Sequence, residues 1–162
     1  MGITLFCIAV SGHWLAAQEV IKVQDPEYQL SFILPDGWKY KDDGYVLELK
    51  KRSSSYPKIE LTYFKEEGKI GLDTLIMLER ESIFPSKYKG FSLLDHGFLD
   101  PKKSRAYFRF SYQEFWGKRY AYRVLFYAQD QRVEVILTLK EERNRLDFLR
   151  EFTRTIQLVS KN

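Results

Sequence analysis

Residues 105–126 read RAYFRFSYQEFWGKRYAYRVLF. Apolar and polar side chains alternate on either side of Phe115-Trp116-Gly117, the period-two pattern of two antiparallel strands joined by a tight turn. With those three residues as the loop and Gly117 in the left-handed region, Glu114 faces Lys118. Tyr112 then falls opposite Tyr120, Phe110 opposite Tyr122, Phe108 opposite Val124 and Ala106 opposite Phe126, so the apolar candidates share one face. Val133, Val135, Leu137 and Leu139 alternate with Arg132, Glu134, Thr138 and Lys140, extending the meander through a turn near Gln129-Asp130.

In this register the other face carries Arg105, Tyr107, Arg109, Arg119, Arg123, Tyr127 and Arg132, with Arg109 directly across from Arg123. Like charges in a cross-strand pair repel, so an acid or a bound anion is expected nearby, and Glu134 is the simplest candidate. As a functional surface, planar guanidinium groups interleaved with tyrosines suit carboxylates, phosphates or an acidic patch on another protein. The competing reading is a solvated or helix-covered face neutralised by Glu134. Trp116, beside Phe115 at the hairpin tip, is either a docking wedge for a protein or lipid or a side chain folded back onto the neighbouring strand.

Outward from the hairpin, Leu146, Leu149, Phe152 and Ile156 recur at helical spacing, predicting a C-terminal helix packed on the sheet. Leu72, Leu75, Ile76 and Ile83 fall on one side of a predicted central helix, with Asp73, Glu79, Arg80 and Glu81 largely elsewhere and Pro85 as its stop. Phe91 to Phe98 reads as a strand or extended connection, and Asp100-Pro101 as a turn. Tyr28, Leu30, Phe32 and Leu34 alternate as a strand ending at Pro35-Asp36-Gly37. A turn at Lys41-Asp42-Asp43-Gly44 then leads to a strand through Tyr45, Val46, Leu47 and Leu49, expected to pair with the first as a hairpin. Ile59, Leu61 and Tyr63 form another. The fold class is therefore α+β: an antiparallel sheet of about six or seven strands flanked by a central and a C-terminal helix.

This succession, from Leu34-Pro35-Asp36-Gly37-Trp38 through the central helix to Arg105-Ala106-Tyr107 opening a meander closed by a helix bearing Phe152, resembles the PsbP-like superfamily. That superfamily includes the photosystem II extrinsic subunit PsbP, a Ran-binding nuclear transport factor and periplasmic DcrB-like domains. The resemblance covers most of residues 25 to 160. It implies an antiparallel sheet flanked by helices and mostly non-enzymatic roles in binding or assembly, and it transfers no active-site residue.

The chain has 162 residues, 44% hydrophobic and 16% aromatic, enough apolar material for one core. Its net charge of +4 comes without a basic run longer than Lys50-Lys51-Arg52, which reads as solvation rather than a polyanion site. Residues 1–17 are uncharged, carry an apolar stretch from Ile3 to Val10 and end in Leu15-Ala16-Ala17, as a secretory signal peptide cleaved after Ala17 does. Residues 18–162 then form a single domain, expected in the periplasm or outside the cell. Cys7, the one cysteine, lies inside this leader without a lipid-attachment motif before it, so the mature chain would have no thiol for disulfide, metal or nucleophilic chemistry.

His96 is the one histidine beyond the leader, and no Gly-x-Ser-x-Gly elbow accompanies it. His-x-x-x-His spacing, an EF-hand loop and a glycine-rich phosphate loop are missing. No catalytic residue, metal ligand or cofactor is expected. Arg105-Ala106-Tyr107-Phe108-Arg109-Phe110 distantly resembles the basic-aromatic strand of an RNA-recognition module but lacks its glycine, and it conflicts with export, which disfavours nucleic acid as a partner. The sequence reads as an exported binding or accessory protein whose partner is an unknown protein or a small anionic ligand. The alternative is a pocket protein or enzyme acting on a small anionic ligand, which requires a deep cavity lined by several of these arginines.

Overall fold

Two layers cover the long meander, one on each face, and this decides where every charged side chain of the hairpin goes. The computed structural model describes residues 20–24, 28–42, 46–51, 54–65, 70–129 and 131–160; the leader read at residues 1–17 lies outside them. Strands β1 (Val20–Gln24), β2 (Tyr28–Ile33) and β10 (Gln157–Ser160) form a small sheet in the order β1-β2-β10. Strands β3 (Trp38–Asp42), β4 (Leu47–Lys51), β5 (Lys58–Lys65), β6 (Ser92–Phe98), β7 (Arg105–Glu114), β8 (Gly117–Ala128) and β9 (Gln131–Leu139) form the main sheet, in the order β3-β4-β5-β9-β8-β7-β6. All pairings are antiparallel. The α+β class and an antiparallel sheet of seven strands flanked by helical segments agree with the sequence reading, which does not mark β1, β3 or β10 as strands.

The connection from β5 to the far edge strand β6 crosses one face of the main sheet. It comprises α1 (Leu72–Leu78), a π-helical turn at Glu79–Ile83 and α2 (Phe84–Lys87). Phe84 is the anchor, with ring centroids 4.9 Å from Phe108 and 5.0 Å from Phe110. The opposite face packs on α3 (Leu146–Arg154) and the small sheet, where Phe32 meets Phe152 edge to face at 6.2 Å and Trp38 stacks on Phe148 at 6.1 Å. This is the larger core, and it includes Leu30, Leu49, Ile59, Tyr122, Val124, Val135 and Leu149.

Four expectations are corrected. The β7–β8 turn uses two residues, because Gly117 at φ +120° is itself opposite Glu114. Every pair therefore slips by one: Arg109 faces Tyr122, and Arg123 faces Phe108. β2 pairs with β1 and β10, while β4 pairs with β3 and β5, so the Tyr28 and Val46 strands are not a hairpin. Pro85 does not stop the helix. It occupies the first turn of α2, where a missing N–H costs little, and upstream the Phe84 N–H reaches back five residues to the Glu79 carbonyl. Finally, α3 ends at Arg154, and Ile156 leads into β10.

Candidate functional site

The corrected register divides the predicted arginine-tyrosine surface between the two covered faces. Arg105, Tyr107 and Arg109 lie on the α3 side. There Arg105 stacks on the Phe126 ring at 5.1 Å, the Tyr107 hydroxyl donates to Asp95 Oδ2 at 2.8 Å, and Arg109 pairs with Glu142. Arg119, Arg123, Tyr127 and Arg132 lie on the side covered by α1 and α2. Tyr127 is half-buried, its hydroxyl accepting the Ile70 N–H at 3.2 Å, and Arg132 is also half-buried. The seven residues make no single surface.

Arg123 shows why the layers seal so tightly. It is 4% exposed and is clasped by Glu79 (1% exposed) and by Glu134 (7% exposed), the latter at 2.6 Å. Glu134 thus sits where the sequence placed a compensating acid. Glu79, expected on the outer side of its helix, lies one turn after buried Leu75 and so points inward; the π-helical widening that follows turns Phe84 inward in place of Ile83, which is exposed. Desolvation alone would lower the Arg123 pKa; the two carboxylates outweigh it and raise the pKa, so the guanidinium stays charged.

The side chains that remain outside cluster at the hairpin end of the sheet. Phe115 and Trp116 are 89% and 82% exposed, stacked edge to face at 4.8 Å. Trp116 is therefore not folded back onto the neighbouring strand. Its base is braced: Glu114 Oε2 lies 3.0 Å from Arg119 Nε, off the N–H axis, so that contact is an ion pair rather than a directed hydrogen bond. Glu114 also accepts hydrogen bonds from the Tyr56 and Tyr112 hydroxyls, each at 3.1 Å. Arg119 is buried over the Tyr56 ring at 5.0 Å. The Gln113 N–H donates to the Lys89 carbonyl at 2.8 Å, tying the segment after α2 to the same end. Tyr88 packs between Phe110 and Tyr112 at 4.9 Å from each, and burial pushes its hydroxyl up to about 12.

No family model matches the chain, and no curated protein matches it in sequence. Solved structures do resemble it. The Saccharomyces cerevisiae Ran-binding protein Mog1p superimposes with a TM-score of 0.57 at 9% identity, over 87% of this chain and 96% of Mog1p. Cyanobacterial PsbP from Synechocystis superimposes with a TM-score of 0.52 at 12% identity, over 91% of this chain and 96% of its own. This is the PsbP/Mog1 fold. A structure from Bacteroides thetaiotaomicron shares it with a TM-score of 0.54 at 15% identity over 82% of this chain, which spans 45% of that protein's length.

Within this PsbP/Mog1 fold, two adjoining clefts of about 180 and 250 Å³ open beside β9 and the start of α3. They share Pro57 and Arg145, and Trp38, Leu137 and Phe148 line the larger one. Neither contains His96 or any arginine singled out from the sequence; the smaller is lined instead by Lys140, Arg143 and Arg145. His96 is exposed on the edge strand β6. Among the described residues no group of three His, Cys, Asp or Glu could hold a metal ion, and no helix is long and apolar enough to cross a membrane. The sequence reading singled out Trp116 and not the lysines and tyrosines around it. Lys87-Tyr88-Lys89 and Lys118-Arg119-Tyr120 were the available signal.

Proposed function

We propose that this chain is an exported, non-enzymatic binding or accessory protein of the cell envelope that engages its partner through the hairpin end around Trp116. One observation carries the reading: two large aromatic side chains stand almost fully in solvent on a turn braced by an ion pair and two tyrosine hydroxyls. Exposing that much apolar surface is unfavourable unless something covers it. The Ran-binding role of Mog1p, a protein of the same fold, supports the binding class, and the leader read at residues 1–17 supports export. Arg119 acts in this site as a brace for the turn. Arg105, Tyr107, Arg109, Arg123, Tyr127 and Arg132 serve the layers behind it.

The test is sedimentation with isolated envelopes. Wild type is expected in the pellet, and a Phe115→Ser/Trp116→Ser variant with unchanged thermal stability in the supernatant. Equal pelleting would reject the site. Mass determination of the expressed protein is expected to show processing after Ala17, and a cytoplasmic chain retaining those residues would reject export.

A further inference from the structure

We propose that the hairpin end docks on an anionic lipid surface, Phe115 and Trp116 entering the interface while Lys87, Lys89, Lys118 and Lys140 meet the headgroup phosphates. The inference rests on the preceding site assignment and names its partner.

Phe115 and Trp116 form a narrow convex apex. Behind it stands a collar of tyrosines, three of them beneath a lysine: Lys118 lies 5.3 Å from the Tyr120 ring, Lys87 5.6 Å from Tyr88 and Lys140 6.0 Å from Tyr56. Lys89 joins them through its backbone link to Gln113. All four lysines are exposed, and none has an acidic partner among the described residues. The carboxylates closest in sequence to the tip and to Lys140 are already used, Glu114 by Arg119 at 3.0 Å and Glu141 by Arg143 at 2.8 Å. The end of the sheet therefore presents uncompensated positive charge around an apolar point.

Residue type separates a lipid from a protein partner. Protein interfaces are enriched in arginine and depleted in lysine. Here Arg119 and Arg123 are buried in ion pairs, the exposed Arg143 beside Lys140 is paired with Glu141, and the outward cations left without an acid among the described residues are lysines. Tryptophan and tyrosine at the level of the headgroups, with lysine stems reaching past them to the phosphates, is the arrangement a bilayer interface favours. Each lysine near an anionic surface strengthens binding roughly fivefold, an attraction that salt screens.

The experiment measures partition of the chain onto vesicles of phosphatidylcholine alone and of phosphatidylcholine with phosphatidylglycerol. Salt-sensitive binding is expected on the anionic vesicles only. Phe115→Ser/Trp116→Ser is expected to reduce it about tenfold or more, and Lys89→Glu/Lys118→Glu by a similar factor. Brominated acyl chains are expected to quench wild-type emission and to leave Trp116→Phe, which still binds, unquenched. Equal binding to both vesicle types, or binding untouched by either double variant, would overturn the proposal. So would loss of envelope sedimentation in Phe115→Ser/Trp116→Ser without any vesicle binding by wild type, which would make the tip a protein contact. Self-association abolished by Trp116→Ser would likewise overturn it in favour of a second copy.

Discussion

Arg123→Met removes the cation that pairs with both Glu79 and Glu134 between the helical crossover and the main sheet. Methionine keeps the contact with Phe84, whose ring lies 5.1 Å from the guanidinium, so the loss is mainly electrostatic. Breaking a buried ion pair by deleting one partner costs about 3–5 kcal/mol. Two carboxylates are stranded here, which places the cost toward the upper end. Set against a typical stability of about 5–15 kcal/mol, that is a third or more of the total. At about 2–4 °C per kcal/mol for a chain of this size, the melting temperature should fall by roughly 8–20 °C. Urea unfolding followed by the emission of Trp38, buried on Phe148, reads the change as a lower midpoint at constant slope. Replacing all three, Arg123→Met with Glu79→Leu and Glu134→Leu, should recover most of the loss, because no charge is then buried. The reasoning fails if Arg123→Met lies within about 1 kcal/mol of wild type, or if the triple variant is no more stable than the single one.

Glu79→Gln leaves Arg123 held by Glu134, so its cost should be smaller, about 1–3 kcal/mol in the same unfolding assay. Gly97 faces Tyr107 across β6 and β7, and a Cβ there would sit 3.3 Å from the Tyr107 ring. Gly97→Val should displace that ring from its hydrogen bond to Asp95 and destabilise by about 1–3 kcal/mol, which thermal unfolding checks. Burial, then the hydrogen bond to Asp95, pushes the Tyr107 hydroxyl up to about 12, and burial does the same for Tyr88. A tyrosine whose pKa is raised by folding contributes stability below its unfolded value near 10 and loses that contribution as pH rises toward 12. Absorbance titration should therefore show a late tyrosine class and stability falling between about pH 10 and 12, with Tyr107→Phe reducing the late amplitude. Titration of all tyrosines together near 10 with the fold intact would contradict this.

The sequence by itself determined the alternation of β7, β8 and β9, a hairpin apex at Phe115-Trp116, the C-terminal helix and hence the α+β class. These are local periodicities that survive whatever packs on them. It also marked Trp116, because a tryptophan in a tight turn has few neighbours to hide against. It could not say which face the arginines take. Alternation identifies an interior only when one face is wet, and here both faces are covered, so a slip of one residue costs no apparent burial. Tertiary structure made that choice: Gly117 pairs with Glu114, Arg123 joins the Phe108 face, and Glu79, one helical turn after buried Leu75, meets it. The lysine collar was legible only as separate lysine-tyrosine pieces, since it comes from the end of α2, the start of β8 and the residue after β9, segments far apart in the chain that only the folded sheet gathers at one end.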